Sequence, residues 1–136
     1  MGSIPPELGY LIWLDSLDLQ DNRLVGSIPT EIGLLTNLEY LALNSNKLQG
    51  EIPNTLSSLK RAKAILLYYN DLTGVVSTDM CTLVDDLCLY NFQTDCQLEG
   101  GEYDVPAVTC ESCTYCCDGL DHCSPHQWNS SNILDD

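Results

Sequence analysis

Apolar residues return along the first 73 positions at a constant step of 24. Leu8, Ile32 and Leu56 keep it, as do Leu11, Leu35 and Leu59; Leu17, Leu41 and Ile65; Leu19, Leu43 and Leu67; and Leu24, Leu48 and Leu72. Polar punctuation keeps the same step: Asn22, Asn46 and Asn70, and the tetrapeptide Gly-x-Ile-Pro beginning at Gly2, Gly26 and Gly50. A weaker copy starts at Gly74. A fixed period of this length is the mark of a stacked repeat, in which one coil cannot bury its apolar face and neighbours must do so. Within each period the Leu-x-Leu segment, as in Leu17-Asp18-Leu19, predicts a short strand with alternate side chains inward. Strands from successive coils are expected to lie side by side in a parallel sheet. The asparagines follow where the chain turns inward, and their amides can serve backbone groups of their own coil and of the next. Glycine suits a tight return, and proline a position that needs no ladder hydrogen bond.

The full pattern, Gly-x-Ile-Pro-x-x-Leu/Ile-x-x-Leu-x-x-Leu-x-x-Leu-x-Leu-x-x-Asn-x-Leu, resembles the plant-type leucine-rich repeat, closely over residues 2–73 and loosely over 74–97. The resemblance implies an α/β-type repeat solenoid with a short parallel β-sheet on its concave side and an irregular or 3-10 convex side. It further implies a function of the kind met in receptor ectodomains, receptor-like proteins and secreted inhibitors of cell-wall enzymes, which share protein or peptide binding rather than catalysis.

The pattern bends in the fourth repeat. A strict step would bury Asp86 and Asn91, which is costly without partners. Three added residues give Leu89-Tyr90-Asn91-Phe92-Gln93-Thr94 instead, with Leu89, Phe92 and Thr94 inward. Cys81, Thr94-Asp95-Cys96 and Val108-x-Cys110, with the cysteines that follow, are similar to the C-terminal end of some algal leucine-rich repeat proteins. The expected organisation is repeats over 1–97, a cysteine-rich cap over 98–126 and a flexible polar tail over 127–136.

Composition changes the picture in three ways. All eight cysteines (Cys81, Cys88, Cys96, Cys110, Cys113, Cys116, Cys117 and Cys123) fall in one third of the chain. An even, clustered set suggests a disulfide-rich cap over the open end of the solenoid, and an extracellular or cell-surface setting. The pairing stays open, because eight cysteines allow 105 arrangements. The net charge is −15, and residues 74–136 carry twelve acids and no Lys or Arg. Such a chain repels phosphate backbones, so nucleic acid is not an expected partner. Its acidity serves solubility or the steering of a cationic ligand. Finally, no apolar run approaches the roughly 20 residues that span a bilayer, so this segment is not expected to insert, although it can be the outer part of a longer membrane protein. Met1 falls mid-coil without a signal peptide, which suggests a truncated N-terminus. The coil-one residues Ile4, Leu8, Leu11, Leu14, Leu17 and Leu19 are then expected to face solvent and to promote self-association.

Catalytic chemistry has little support. The two histidines, His122 and His126, lie near the tail without a nucleophile motif, and read as exposed polar residues. Paired acids such as Asp85-Asp86 lie in loops. The spacing Cys110-x-x-Cys113-x-x-Cys116 resembles the opening of an iron–sulfur run, and the histidines lie near enough to suggest zinc, but the last gap is wrong and the repeat context favours disulfides. No enzyme activity, metal or cofactor is expected. Asn129-Ser130-Ser131 is an acceptor triplet for N-glycosylation, of a kind that also arises by chance.

The repeat template then names a candidate surface. Side chains leaving the concave face are Asp15, Ser16, Asp18, Gln20 and Asp21 in coil one, Glu39, Tyr40, Ala42, Asn44 and Ser45 in coil two, Lys63, Ala64, Leu66, Tyr68 and Tyr69 in coil three, and Tyr90, Asn91, Gln93 and Asp95 in the last coil. Tyr40, Leu66, Tyr68, Tyr69 and Tyr90 are expected to form one aromatic–aliphatic patch beside an acidic strip of Asp15, Asp18 and Asp21. The same tyrosines can equally cover the last coil or contact the cap loop. The reading is an extracellular protein- or peptide-binding module of a receptor-like or secreted protein. Its alternatives are an inhibitor of a secreted hydrolase and a structural surface repeat.

Overall fold

The computed structural model describes residues 2–80 and, beyond them, the backbone of four strands at 91–93, 108–109, 115–118 and 122–125. Each coil repeats the same three pieces. A first strand is followed, after a turn, by a second strand, and a 3-10 helix returns the chain to the next coil. The first strands are β1 (Ser16–Asp18), β3 (Tyr40–Ala42), β5 (Ala64–Leu66) and β7 (Asn91–Gln93), joined in parallel in that order. The second strands, β2 (Val25–Gly26), β4 (Lys47–Glu51), β6 (Asp71–Val75) and β8 (Val108–Thr109), form a parallel sheet of their own. The 3-10 helices η1 (Pro6–Tyr10), η2 (Thr30–Leu34) and η3 (Asn54–Ser58) stack beside one another. The first sheet runs on into β9 (Tyr115–Asp118), parallel to β7, and β10 (His122–Pro125), antiparallel to β9. From β1 to β9 the alternation of odd and even strands between two sheets is that of a solenoid.

The register follows the sequence period. Leu17 lies opposite Leu41 and Leu41 opposite Ile65, each 24 residues on. Ile65 then lies opposite Phe92, a step of 27. The fourth coil therefore takes the longer register. Coil two, covered on both sides, is the best buried: Ile32, Leu35, Leu38, Leu41, Leu43 and Leu48 are all fully enclosed. Burying a Leu or Ile side chain contributes roughly 1.5–3 kcal/mol, so each coil gains its stability from its neighbours.

Three expectations need correction. First, coil one does not turn its whole apolar set to solvent. Ile4 and Leu17 are buried, Leu8, Leu14 and Leu19 half-buried, and of the six only Leu11 is exposed, at 52%. Coil one leans on coil two, and its own chain encloses the remainder. Second, the Gly-x-Ile-Pro glycines do not sit in a tight return. Gly50 and Gly74 lie inside β4 and β6 and Gly26 ends β2, all three with φ between 81° and 92°. The second sheet bends there by using backbone geometry that L side chains avoid. The prolines that follow, Pro5, Pro29 and Pro53, each precede the first turn of a 3-10 helix. Third, the asparagines reach back to the preceding coil, not forward to the next. Asn46 Nδ2 donates to the Leu43 carbonyl of its own coil at 3.1 Å and to Leu19 of the preceding one at 2.9 Å, while its Oδ1 accepts from the Leu24 amide at 3.0 Å. Asn70 repeats this with Leu67, Leu43 and Leu48. Asn22 serves only the Leu19 and Gln20 carbonyls of its own coil and is exposed.

The cysteine-rich cap falls largely outside the described residues, as do Asn129 and the tail. Among the described residues no helix is long and apolar enough to cross a membrane.

Two predictions follow from the packing. Asn46→Ala removes an acceptor for one coil and a donor for two, so it should cost on the order of 1–3 kcal/mol, whereas Asn22→Ala should cost clearly less. Urea denaturation of the two variants measures the difference, and equal losses would mean that the contacts between coils carry nothing. Gly33 shares with Gly9 the tightest approach of the 3-10 stack, since a Cβ placed there would lie 2.3 Å from the Thr55 carbonyl oxygen. Gly33→Ala must push two coils apart, and should cost at least the 1–3 kcal/mol typical of overpacking, read as a lowered melting temperature.

Candidate functional site

The concave sheet places the predicted residues in defined rows. Tyr40 stands between Ser16 and Ala64, and Leu66 between Ala42 and Gln93. Two residues further along β5, Tyr68 continues the row of Gln20 and Asn44. Tyr40 and Leu66 are diagonal neighbours on adjacent strands, within reach of large side chains. Tyr68 and Tyr69 meet edge to face, with ring centroids 5.1 Å apart and planes at 75°. Tyr40, Leu66 and Tyr68 are half-buried and Tyr69 is 51% exposed. The four thus lie along one diagonal of coils two and three. Tyr90 lies outside the described residues.

The face is less open than the template suggested. Ala42, Asn44 and Ala64, expected at the surface, are buried. Strands about 4.8 Å apart allow long side chains to overhang short neighbours, and here the short ones sit among Tyr40, Leu66 and Tyr68. Asn44 is the unusual member. It is only 3% exposed, its Nδ2 donates to the Gln20 Oε1 at 3.4 Å, and its Oδ1 has no hydrogen-bond partner among the described residues.

The acidic strip is as exposed as expected: Asp15, Asp18 and Asp21 all face solvent. Asp18 accepts from the Gln20 amide at 3.1 Å and from its Nε2 at 3.5 Å. The strip stops at coil two. There Glu39 pairs with Lys63 and, at 3.5 Å, with Arg61. The hydrogen bond from Lys63 holds the Glu39 carboxyl below its ordinary pKa, helped by the charges of Lys63 and Arg61 and opposed by slight desolvation. Among the described residues no group of His, Cys, Asp or Glu is placed to hold a metal ion.

One local feature was not legible in the sequence. Asp21, Ser45 and Tyr69 occupy equivalent places before the ladder asparagines, and all three have φ between 53° and 57°. Asp tolerates this left-handed region; a bulky aromatic residue is uncommon there. The equivalence of the three positions was visible, but the backbone shape that makes Tyr69 the odd one was not.

Residues 13–35 and 37–59 match the family model of the leucine-rich repeat. With the two parallel sheets and the 24-residue register, this decides the class. The fold is that of the leucine-rich repeat. Solved leucine-rich repeat structures share it. The chain is 36% identical to a plant ice-binding protein, with a TM-score of 0.59, over 61% of this chain and 27% of that one. It is 40% identical to the plant peptide hormone receptor RGFR1, solved in complex with RGF2, with a TM-score of 0.59, over 60% and 13% of the two chains. The leucine-rich repeat ectodomain of the Arabidopsis receptor kinase HAESA, solved with an N-terminally extended IDA peptide hormone, is 30% identical, with a TM-score of 0.58, over 69% and 15%. The chain therefore spans between about one eighth and just over one quarter of the length of these relatives. No curated protein sequence matches it.

This leucine-rich repeat carries an orphaned acceptor in its concave face, which leads to a stability prediction. A buried unsatisfied oxygen costs about 1–3 kcal/mol. Asn44→Leu, with the same branching but somewhat more bulk, removes that cost and gives up only a long hydrogen bond. It should leave the protein as stable or up to about 1 kcal/mol more stable in urea titration. A large loss would show that Asn44 is held by contacts stronger than these.

Proposed function

We propose that this leucine-rich repeat module is an extracellular recognition element of a receptor-like or secreted protein, and that it binds a protein or peptide through the diagonal of Tyr40, Leu66, Tyr68 and Tyr69. Tyr69 is the observation that carries this reading. A tyrosine half exposed to water, set edge to face against a second tyrosine and held in a left-handed backbone, costs the fold roughly 1–2 kcal/mol that Asp21 in the equivalent place partly avoids. Its retention fits a contact role, since exposed tyrosines anchor interfaces by covering much area with little loss of side-chain freedom. Asp15, Asp18 and Asp21 beside it would orient a cationic partner and speed its arrival more than tighten it. Similarity to receptor ectodomains solved with peptide hormones supports the class of ligand. The reading involves no catalysis and no cofactor. Inhibition of a secreted hydrolase is the same reading with a protein as the ligand.

Peptides selected from a random display library against the protein provide the test. Tyr68→Ala should weaken their binding at least about tenfold, and Asp18→Asn should change mainly its salt dependence. Tyr69→Asn separates binding from folding, because Asn suits the left-handed backbone: it should keep or raise the melting temperature while binding falls by a similar factor. Thr30→Ala, on the 3-10 side, should leave binding unchanged. Selected peptides that ignore the tyrosine variants but are lost with Thr30→Ala would overturn the assignment.

A further inference from the structure

Between the 3-10 helices and the concave strands, the chain makes one tight turn in each coil. The Leu14 amide donates to Leu11 at 2.8 Å, Leu38 to Leu35 at 2.8 Å and Ala62 to Leu59 at 2.9 Å. The central pairs of these turns are Ile12-Trp13, Thr36-Asn37 and Lys60-Arg61. Turn centres face water and ordinarily carry polar residues, as coils two and three do. Coil one instead presents Ile12 at 48% exposure and Trp13 at 85%, with Tyr10 beside them at 70% and Leu34 of the next coil at 51%.

This apolar group is not a by-product of the open end of the stack. Leu11 is: its counterparts Leu35 and Leu59 are fully buried once a coil precedes them. The positions of Tyr10, Ile12 and Trp13 point outward in every coil. Their counterparts Leu34, Thr36, Ser58, Lys60 and Arg61 are exposed even where neighbours stand on both sides, and Asn37 is half-buried.

The other end of the same flank is basic. Three of the five Lys and Arg residues in a chain of net charge −15 are Lys60, Arg61 and Lys63. Among the described residues Glu39 alone pairs with them, which leaves a surplus of positive charge at this end of the flank within coils one to three. The two ends are joined by a polar spine: Asn37 Nδ2 donates to the Ile12 carbonyl at 2.8 Å, and Arg61 Nη1 donates to Asn37 Oδ1 at 3.2 Å. With coils about 4.8 Å apart, the apolar and basic ends lie on the order of 10 Å from each other, the span of about three extended residues.

We propose that this flank, which borders the concave face at Asp15 and Lys63, is a second docking surface, for an acidic amphipathic segment of a partner protein. Large apolar side chains of that segment cover Tyr10, Ile12, Trp13 and Leu34, and carboxylates about three residues away meet Lys60, Arg61 and Lys63. Asp15, on the coil-one side next to Trp13, sets the direction, because it repels a carboxylate placed at the apolar end. Basic segments fit the opposite order poorly, since their charges would face the lysines.

The test uses two synthetic peptides of about a dozen residues, one with two leucines or phenylalanines followed after about three residues by a run of Asp and Glu, the other with Lys for the acids. Trp128→Phe leaves Trp13 as the sole tryptophan reporter. The acidic peptide should shift Trp13 emission to shorter wavelength in a saturable manner, and the basic peptide should not. Trp13→Ser and Lys60→Glu, both at exposed turn positions, should each weaken binding, followed by a dye on the peptide, at least about tenfold. Tyr69→Ala should leave it unchanged, which keeps this surface distinct from the concave one. No binding, equal binding of both peptides, or binding that survives Trp13→Ser would overturn the proposal. Sedimentation showing that Trp13→Ser only dissolves a dimer, without peptide binding, would do so too, because the occupant would then be a second copy.

Discussion

Everything in this molecule rests on the requirement that one coil finish the burial of the next. A 24-residue coil has too little interior to hold itself, and its leucines become fully enclosed only when a coil stands on each side, as around Leu41 and Leu43. The same stacking supplies the polar half of the interaction. Asn46 and Asn70 tie the turn of one coil to the carbonyl and amide groups of the preceding coil, so apolar and polar satisfaction arrive together. Gly9 and Gly33 show how closely the stack must approach, with no room for a methyl group between the 3-10 helices.

A structure held by stacking leaves its outward positions free for other uses, because they contribute little to the core. Each outward row is sampled once per coil at almost constant spacing. A surface is therefore written as columns, and its chemistry changes by substitution along a row. The row Trp13, Asn37, Arg61 passes from aromatic to polar to cationic in about 10 Å without altering the turn that carries it. The row Asp21, Ser45, Tyr69 does the same through a left-handed backbone. The two rows border different faces, so one short solenoid can offer two surfaces of contrasting chemistry. The acidic strip of coil one and the basic turn of coil three would further give each proposed surface a direction.

The sequence by itself determined the coil length, the inward leucines and the parallel register of the first sheet, because each is a consequence of periodicity. It also contained the three-residue lengthening of the fourth coil, since the shorter alternative buried Asp86 and Asn91. Only the tertiary structure decided the rest, which depends on distances between coils. That Asn46 reaches the preceding coil follows from the side on which neighbouring backbone groups are left unpaired, and no spacing reveals it. That Gly50 bends a strand, and does not close a return, depends on a φ angle. The template placed Asn44 and Ala42 at the surface, whereas both are buried, because whether such a side chain meets water depends on the size of those beside it. Trp13 is the converse: a periodic reading passes over it as an off-pattern apolar residue, and it becomes visible as a surface only once three turns are seen to stack.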